Sequence, residues 1–358
     1  MKKILIISFA VLCITGCNKT SGDFPEGGFS ADAPGILNLT LPELAATKAV
    51  ATDDEKKLNS LYIAVFNSEG KLEISHDCSG TEISDIGTNG VTLNVKTGTK
   101  DVWAVANVAV SKFVSVNDIA SFKAIEVLLS DASASSFAME GSALGISVTA
   151  GKTSKASILL SRFAARVSLV KVSNSLPSSY GSLTVKSAYL ANVVCNDNIG
   201  QTVKASSWCN RLGHSGTNLT EANVIGNGST KAENASVTFR TIGNAVSNSG
   251  SVSLTGKSVY GFRNASTANP VARGNGFPVN GCRSVLYVIA TIGGVDYWYP
   301  VGLGELKSNC SYNVSLTITM PGQRPGDDDF GSLITKGVLA ASVTVTDWTD
   351  GSEYSETI

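Results

Sequence analysis

Apolar and polar residues alternate along most of this chain, and the alternation predicts strands almost everywhere. From Gly35 the residues Leu37, Leu39 and Leu41 fall on one face and Asn38 and Thr40 on the other, the pattern of a half-buried strand. Leu61, Ile63 and Val65 then alternate with Tyr62, Ala64 and Phe66, and Asn67-Ser68-Glu69-Gly70 supplies the turn that closes the strand. Val91, Leu93 and Val95 follow, and Val102 to Ala106 has the continuous apolar run of a strand covered on both faces. One short helix is predicted after Asn117-Asp118, which can cap it, with Ile119, Phe122 and Ile125 on one stripe. Ala156, Ile158 and Leu160 make a further strand that leads into Ser161 to Leu169, where a domain boundary is expected.

The second half repeats the style. Leu183 to Val185 and Ala188 to Leu190 read as strand, whereas Asn196 to Gly250 is rich in Gly, Ser, Asn and Thr and reads as long surface loops around short strands. Val285 to Ile289 and Val295 to Tyr299 flank Gly293-Gly294, a two-residue hairpin turn. Tyr312, Val314, Leu316 and Ile318 alternate up to Met320-Pro321-Gly322. Beyond a polar linker from Gln323, the residues Leu339, Ala341, Val343 and Val345 share one face of a last strand. A strand reached only through such a linker need not stay on its own domain and can be offered to a neighbour.

The first seventeen residues change the picture most. Met1-Lys2-Lys3 precedes an apolar stretch from Ile4 to Ile14, long enough for a secretory signal and too short to span a bilayer. It closes on Ile14-Thr15-Gly16-Cys17, a lipobox, in which Cys17 is acylated and becomes the first residue after cleavage. The alternative, an ordinary signal with an incidental cysteine, leaves the spacing unexplained. An exported bacterial lipoprotein is expected, tied to a membrane by its lipid. Asn18 to Pro34 then reads as a tether, and Ala45-Ala46-Thr47-Lys48-Ala49-Val50 presents a basic residue to a trypsin-like protease.

Only 16% of residues are charged and the formal net charge is −1, which offers nothing to nucleic acid or anionic lipid surfaces. The length suits about two domains. Cysteines other than Cys13 and Cys17 are Cys78, Cys195, Cys209, Cys282 and Cys310, without a CxxC pair. Cys195 with Cys209, or Cys282 with Cys310, can bridge in an oxidising compartment, and unbridged buried thiols fit equally.

No catalytic constellation, metal site or cofactor motif is read. His76 and His214 lack a second histidine at ligand spacing, and a His76/Cys78 nucleophilic pair is outweighed by chance proximity on a strand. Asp327-Asp328-Asp329 lacks the rest of a calcium loop, and Gly274-Asn275-Gly276 is too short for a phosphate loop. Trp103 and Trp298 sit among strand residues, as core aromatics do, and Trp208 in the loop region is the one hint of a glycan platform.

The order of these features resembles a family. The lipobox, leader strand, basic site, Asp53-Asp54-Glu55-Lys56-Lys57 before Leu61 to Asn67, and then Val102 to Asn107 look like the N-terminal domain of major fimbrillins, the shaft subunits of Bacteroidales type V pili. Arg162 to Val167 is similar to the family's junction between domains, Tyr299-Pro300-Val301 and Asn309 to Gly322 to its C-terminal domain, and Val343 to Trp348 to its final strand. The family's usual cleavage residue is arginine, and here Lys48 takes the matching position.

The resemblance implies an all-β chain of two transthyretin-like β-sandwich domains. It divides into a signal (1–17), a propeptide carrying the leader strand (18–48), an N-terminal domain (49–168), a C-terminal domain (169–322), and a linker with the donor strand (323–358). It also implies cleavage between Lys48 and Ala49, loss of the leader, and refilling of the vacated groove by the C-terminal strand of another copy. The implied partners are copies of the chain, other pilus subunits, the outer membrane through the lipid of the precursor, and the processing protease. Cofactors and enzymatic activity are not expected. An anchor or tip subunit, or a glycan-binding surface lipoprotein, are the competing readings.

Overall fold

The structure, a computed structural model, describes residues 33–42, 54–211, 235–270, 281–324, 327, 333, 339–347 and 353–357. In the first half the strands are β1 (Pro34–Thr40), β2 (Leu61–Asn67), β3 (Leu72–Asp77), β4 (Val91–Lys96), β5 (Gly98–Ala106), β6 (Glu126–Leu128), β7 (Met139–Val148), β8 (Thr153–Ser157) and β9 (Ser161–Arg162). The second half contributes β10 (Ala164–Asn174), β11 (Leu183–Ala191), β12 (Val193–Val194), β13 (Asn196–Asn198), β14 (Trp208–Cys209), β15 (Phe239–Val246), β16 (Ser251–Ser253) and β17 (Ser258–Phe262). It continues with β18 (Val285–Ile292), β19 (Val295–Gly302), β20 (Cys310–Ile318), β21 (Leu339–Asp347) and β22 (Glu353–Thr357). The chain is all-β in character, with short helices α1 (Gly80–Asp85) and α2 (Ile119–Lys123) in its first half.

Two sheets make the first half. One has the order β4-β1-β8, the other β3-β2-β5-β7-β9. Their facing side chains form one apolar cluster that includes Leu37 and Leu39 from β1, Leu61, Ile63 and Val65 from β2, and Val91, Leu93 and Val95 from β4. The opposite faces of β2 and β5 are covered as well. Tyr62, Phe66 and Trp103 pack with Phe113 and with Phe122 of α2, so Val102 to Ala106 is buried on both sides as its unbroken apolar run predicts. Asp118 caps α2 by accepting from the Ser121 amide at 2.9 Å.

The second half also pairs two sheets, β15-β11-β18-β19 and a larger one running β14-β12-β17-β10-β20-β21-β22 with β16 alongside β10. β18 and β19 form the predicted hairpin, and both turn glycines, Gly293 and Gly294, have positive φ (56° and 82°), as a tight turn matched to strand twist requires. β10 lies parallel to β20, a pairing of segments far apart in sequence. β9 belongs to the first half's sheet and β10 to the second, and β10 runs on through the division at 168/169. The halves share a core cluster and the small β6–β13 ladder. Among the described residues no helix is long and apolar enough to cross a membrane.

Cys195 and Cys209 form a disulfide with Cα atoms 5.8 Å apart, joining the ends of the β13–β14 excursion. Cys78, Cys282 and Cys310 are buried and lie outside this disulfide. Their thiols behave as core groups: burial above all pushes those of Cys78 and Cys282 up to about 12.

Candidate functional site

β1 is the middle strand of its sheet. It runs antiparallel to β4, with Leu37 opposite Leu93 and Leu39 opposite Val91, and parallel to β8, with Leu37 beside Ser154 and Leu39 beside Ala156. Among the described residues β4 and β8 are joined in this sheet only through it. Leu37, Leu39 and Leu41 are fully buried (0%, 0% and 1% exposed). The ladder extends past the strand ends: the Thr97 amide donates to the Ala33 carbonyl at 2.8 Å, the Ile158 amide to that of Thr40 at 3.0 Å, and the Leu41 amide to that of Ile86 at 3.3 Å.

The fit on the backbone side is close. A side chain at Gly90, whose φ is 71°, would meet the Leu39 carbonyl oxygen at 2.6 Å. Taking β1 away would therefore leave two strands with unpaired edges around a slot about three leucines long. Such a slot exposes apolar surface and backbone groups that need new partners.

Cys17, Lys48 and Ala49, the lipidation and cleavage positions read from sequence, lie outside the described residues. Downstream, the chain is described again at a 3-10 turn, Asp54–Lys56, and Glu55 there is 2% exposed. Its carboxylate accepts from Arg166 Nη1 at 3.0 Å and from the Tyr260 hydroxyl at 2.7 Å. Arg166 also donates to Ser311 Oγ at 3.0 Å, and Arg162 Nε donates to the Glu55 carbonyl at 3.0 Å. Burial, helped by the Glu55 charge, raises the Tyr260 hydroxyl, so it stays protonated and keeps donating. The turn at Asp54–Lys56 is thus tied to β9 of the first half and to β10 and β17 of the second, and through Arg166 to β20.

Sequence alone marked the Arg162 to Val167 segment but missed Glu55 as its partner, because a glutamate inside Asp53-Asp54-Glu55-Lys56-Lys57 looks like a solvated one. Glu55→Gln breaks the buried ion pair with Arg166, a loss of about 3–5 kcal/mol in unfolding free energy. Urea denaturation of this variant beside Asp54→Asn, whose side chain is exposed, measures it.

The C-terminal segment occupies a definite place. β21 pairs antiparallel with β20, Val343 facing Val314 and Ala341 facing Leu316, and β22 pairs outside it. Ala341 and Val343 are buried (8% and 2% exposed) and belong to the core cluster that the two halves share. Leu339 and Val345 lie two residues to either side of them, in the same strand. The linker from Gln323 therefore does not leave this strand free in the single chain. To serve a neighbour it must leave β20, or lose β22 and present that edge.

The tryptophan candidates are structural. Trp103 and Trp298 are core residues (7% and 3% exposed). Trp208 borders a cleft of about 840 Å³ with Arg263 and Lys307, but its ring is pressed on Gly281, where a Cβ would lie 2.5 Å from it, so it is no open platform. His76 pairs with Glu82 at 2.8 Å, and the raised Cys78 thiol is a poor nucleophile. His214, Gly274-Asn275-Gly276, Asp328 and Asp329 lie outside the described residues.

The comparisons agree with this architecture. The fold is similar to a solved candidate cell adhesion protein from Bacteroides eggerthii, with TM-score 0.57, 16% identity, and 88% of this chain and 96% of that one covered. It is similar to another from Parabacteroides distasonis, with TM-score 0.57, 16% identity, and 89% and 97% covered. A fimbrilin from Porphyromonas gingivalis matches at TM-score 0.54 and 13% identity over 90% of this chain and 98% of that one. No curated protein matches in sequence. The family model described as major fimbrial subunit protein (FimA) matches residues 37–274, most of the chain from the first buried leucine of β1 onward, and the chain belongs to that family.

Proposed function

We propose that the protein is a polymerising subunit of a surface fimbria, made as an outer-membrane lipoprotein acylated at Cys17 and matured by cleavage between Lys48 and Ala49. The observation that carries this reading is the central position of β1: an eight-residue stretch, Ala33 to Thr40, lies between β4 and β8 and pairs with both, with its leucines in the core. A strand so placed is usually permanent. Here the segment following it, 43–53, contains the one basic residue, Lys48, before the Glu55 tie. Cleavage there would free β1 from the rest of the chain while Glu55 keeps the new N-terminus on the body of the protein.

The groove would then take the C-terminal strand of another copy, Leu339, Ala341, Val343 and Val345 replacing Leu37, Leu39 and Leu41 at the same two-residue spacing. Three or four apolar side chains at about 1.5–3 kcal/mol each, with a backbone ladder, make a strong noncovalent joint. Donor and acceptor are different surfaces, so the contact propagates as a filament. In this reading the two sheet pairs are the family's two transthyretin-like domains, and the filament supports adhesion.

N-terminal sequencing of protein recovered from filaments tests the reading. Subunits beginning at Ala49 are expected. Filament subunits that still begin at Cys17 would overturn cleavage and leave the role of an anchor. In parallel, Cys17→Ala should abolish incorporation of labelled palmitate and the appearance of surface fimbriae; a fully labelled variant refutes the lipobox.

A further inference from the structure

We infer that His76, Cys78 and Glu82 form a binding site for a single divalent transition-metal cation of the zinc class, at the edge of the first half's five-stranded sheet. One imidazole nitrogen, one sulfur and one carboxylate oxygen from these residues lie within 4.8 Å of one another. A cation with bonds of about 2.0–2.3 Å holds such atoms roughly 3.5 Å apart, so the set closes by a shift of about an ångström.

The local fold prepares each ligand. His76 lies near the end of β3, opposite Ile63 of β2. Cys78 follows β3 directly, its amide donating to the Leu61 carbonyl at 2.9 Å. Glu82 is the third residue of α1, where the capping box engages one carboxylate oxygen, Oε2, through the Ser79 amide at 2.7 Å and hydroxyl at 2.9 Å. The other oxygen, Oε1, is left facing His76 Nε2 at 2.8 Å. Ser79 thus orients the carboxylate as an outer-shell group orients a metal ligand.

The donor set selects the ion. Thiolate and imidazole favour zinc, cobalt or nickel over magnesium and calcium, which prefer oxygen alone. Cys78 lies on the buried side, while the His76 and Glu82 side chains are about one-third exposed. That leaves an approach from solvent and a fourth position for water, the arrangement of three protein ligands with an open site. Binding requires the thiol proton to leave to solvent as the Sγ–metal bond forms, with no redox change. Cys78 and Ile86 belong to the same core as Leu37 and Leu39, and Ile86 accepts from the Leu41 amide, so the cation would brace α1 beside the end of β1. The spacing His-x-Cys-x-x-x-Glu escaped the sequence reading because the carboxylate joins only once α1 folds back on β3.

The test is titration of the full chain with zinc chloride, read by calorimetry, and with cobalt chloride, read by absorbance. One zinc per chain is expected, together with a thiolate-to-cobalt charge-transfer band in the near ultraviolet. Cys78→Ser should remove the band. Glu82→Gln, which keeps the capping box, should weaken zinc binding about tenfold or more with the fold intact by circular dichroism, as should His76→Gln. The proposal fails if the parent chain retains no zinc at micromolar concentration, if cobalt binds without the thiolate band, or if folded Glu82→Gln and His76→Gln bind as tightly as the parent.

Discussion

Leu39→Ala will lower the unfolding free energy of the uncleaved precursor by about 2–5 kcal/mol and leave the assembled filament as resistant to heat and denaturant as the parent's. Leu39 is fully buried opposite Val91 and beside Ala156 in the middle of a three-stranded sheet, where truncation leaves a cavity that the neighbours cannot close. An ordinary core leucine weakens every form of a protein equally. A leucine on a strand that is cut away weakens only the form that still contains it, so the contrast between precursor and filament reads whether β1 departs. Denaturant titration of purified precursor and of sheared filaments supplies the comparison, and an equal loss in both would mean that β1 stays in the shaft.

A synthetic peptide of residues 339–347 will bind the cleaved subunit and arrest its polymerisation, and the same peptide carrying Val343→Asp will not. A carboxylate entering an apolar groove costs several kcal/mol, which corresponds to a loss in affinity of about a hundredfold or more. The peptide isolates the joint between subunits from the strand's place at home. Within the intact chain Val343 is buried against Val314, so Val343→Asp would disrupt its own sheet before any neighbour was met. Deleting 338–358 complements the peptide, with circular dichroism to establish that the chain still folds without β21: it loses a donor but keeps its groove, and mixed with parent subunits it should cap filaments and shorten them. Parent-length filaments in that mixture, or equal inhibition by both peptides, would remove strand exchange as the mechanism.

Single residues explain what could be read early. The strands around Leu37, Val91, Val102 and Val285 were legible because one or both faces are buried, which writes a period of two, or an unbroken apolar run, directly into the chain. β7 escaped notice because its burial follows no clean period and it carries Gly141 and Gly145, the former packed on the Leu159 carbonyl. β17 is only five residues long and includes Gly261, which lies against Leu190 and Val193. α1 has no buried residue, so its sequence carries no apolar stripe to betray it.

The candidate site divides in the same way. Alternation determined that Leu37, Leu39 and Leu41 would share a buried face, and likewise Ala341 and Val343, because a side chain's face along a strand depends on its nearest neighbours alone. Which strands flank β1, that among the described residues β4 and β8 are joined in their sheet only through it, that β21 rests on β20, and that Glu55 meets Arg166 and Tyr260 were decided by tertiary structure. Backbone edges pair with any other edge, and a buried charge accepts any counter-charge the fold delivers. The partner in each case comes from a distant part of the chain, and only the packing of both sheets on a common core selects it.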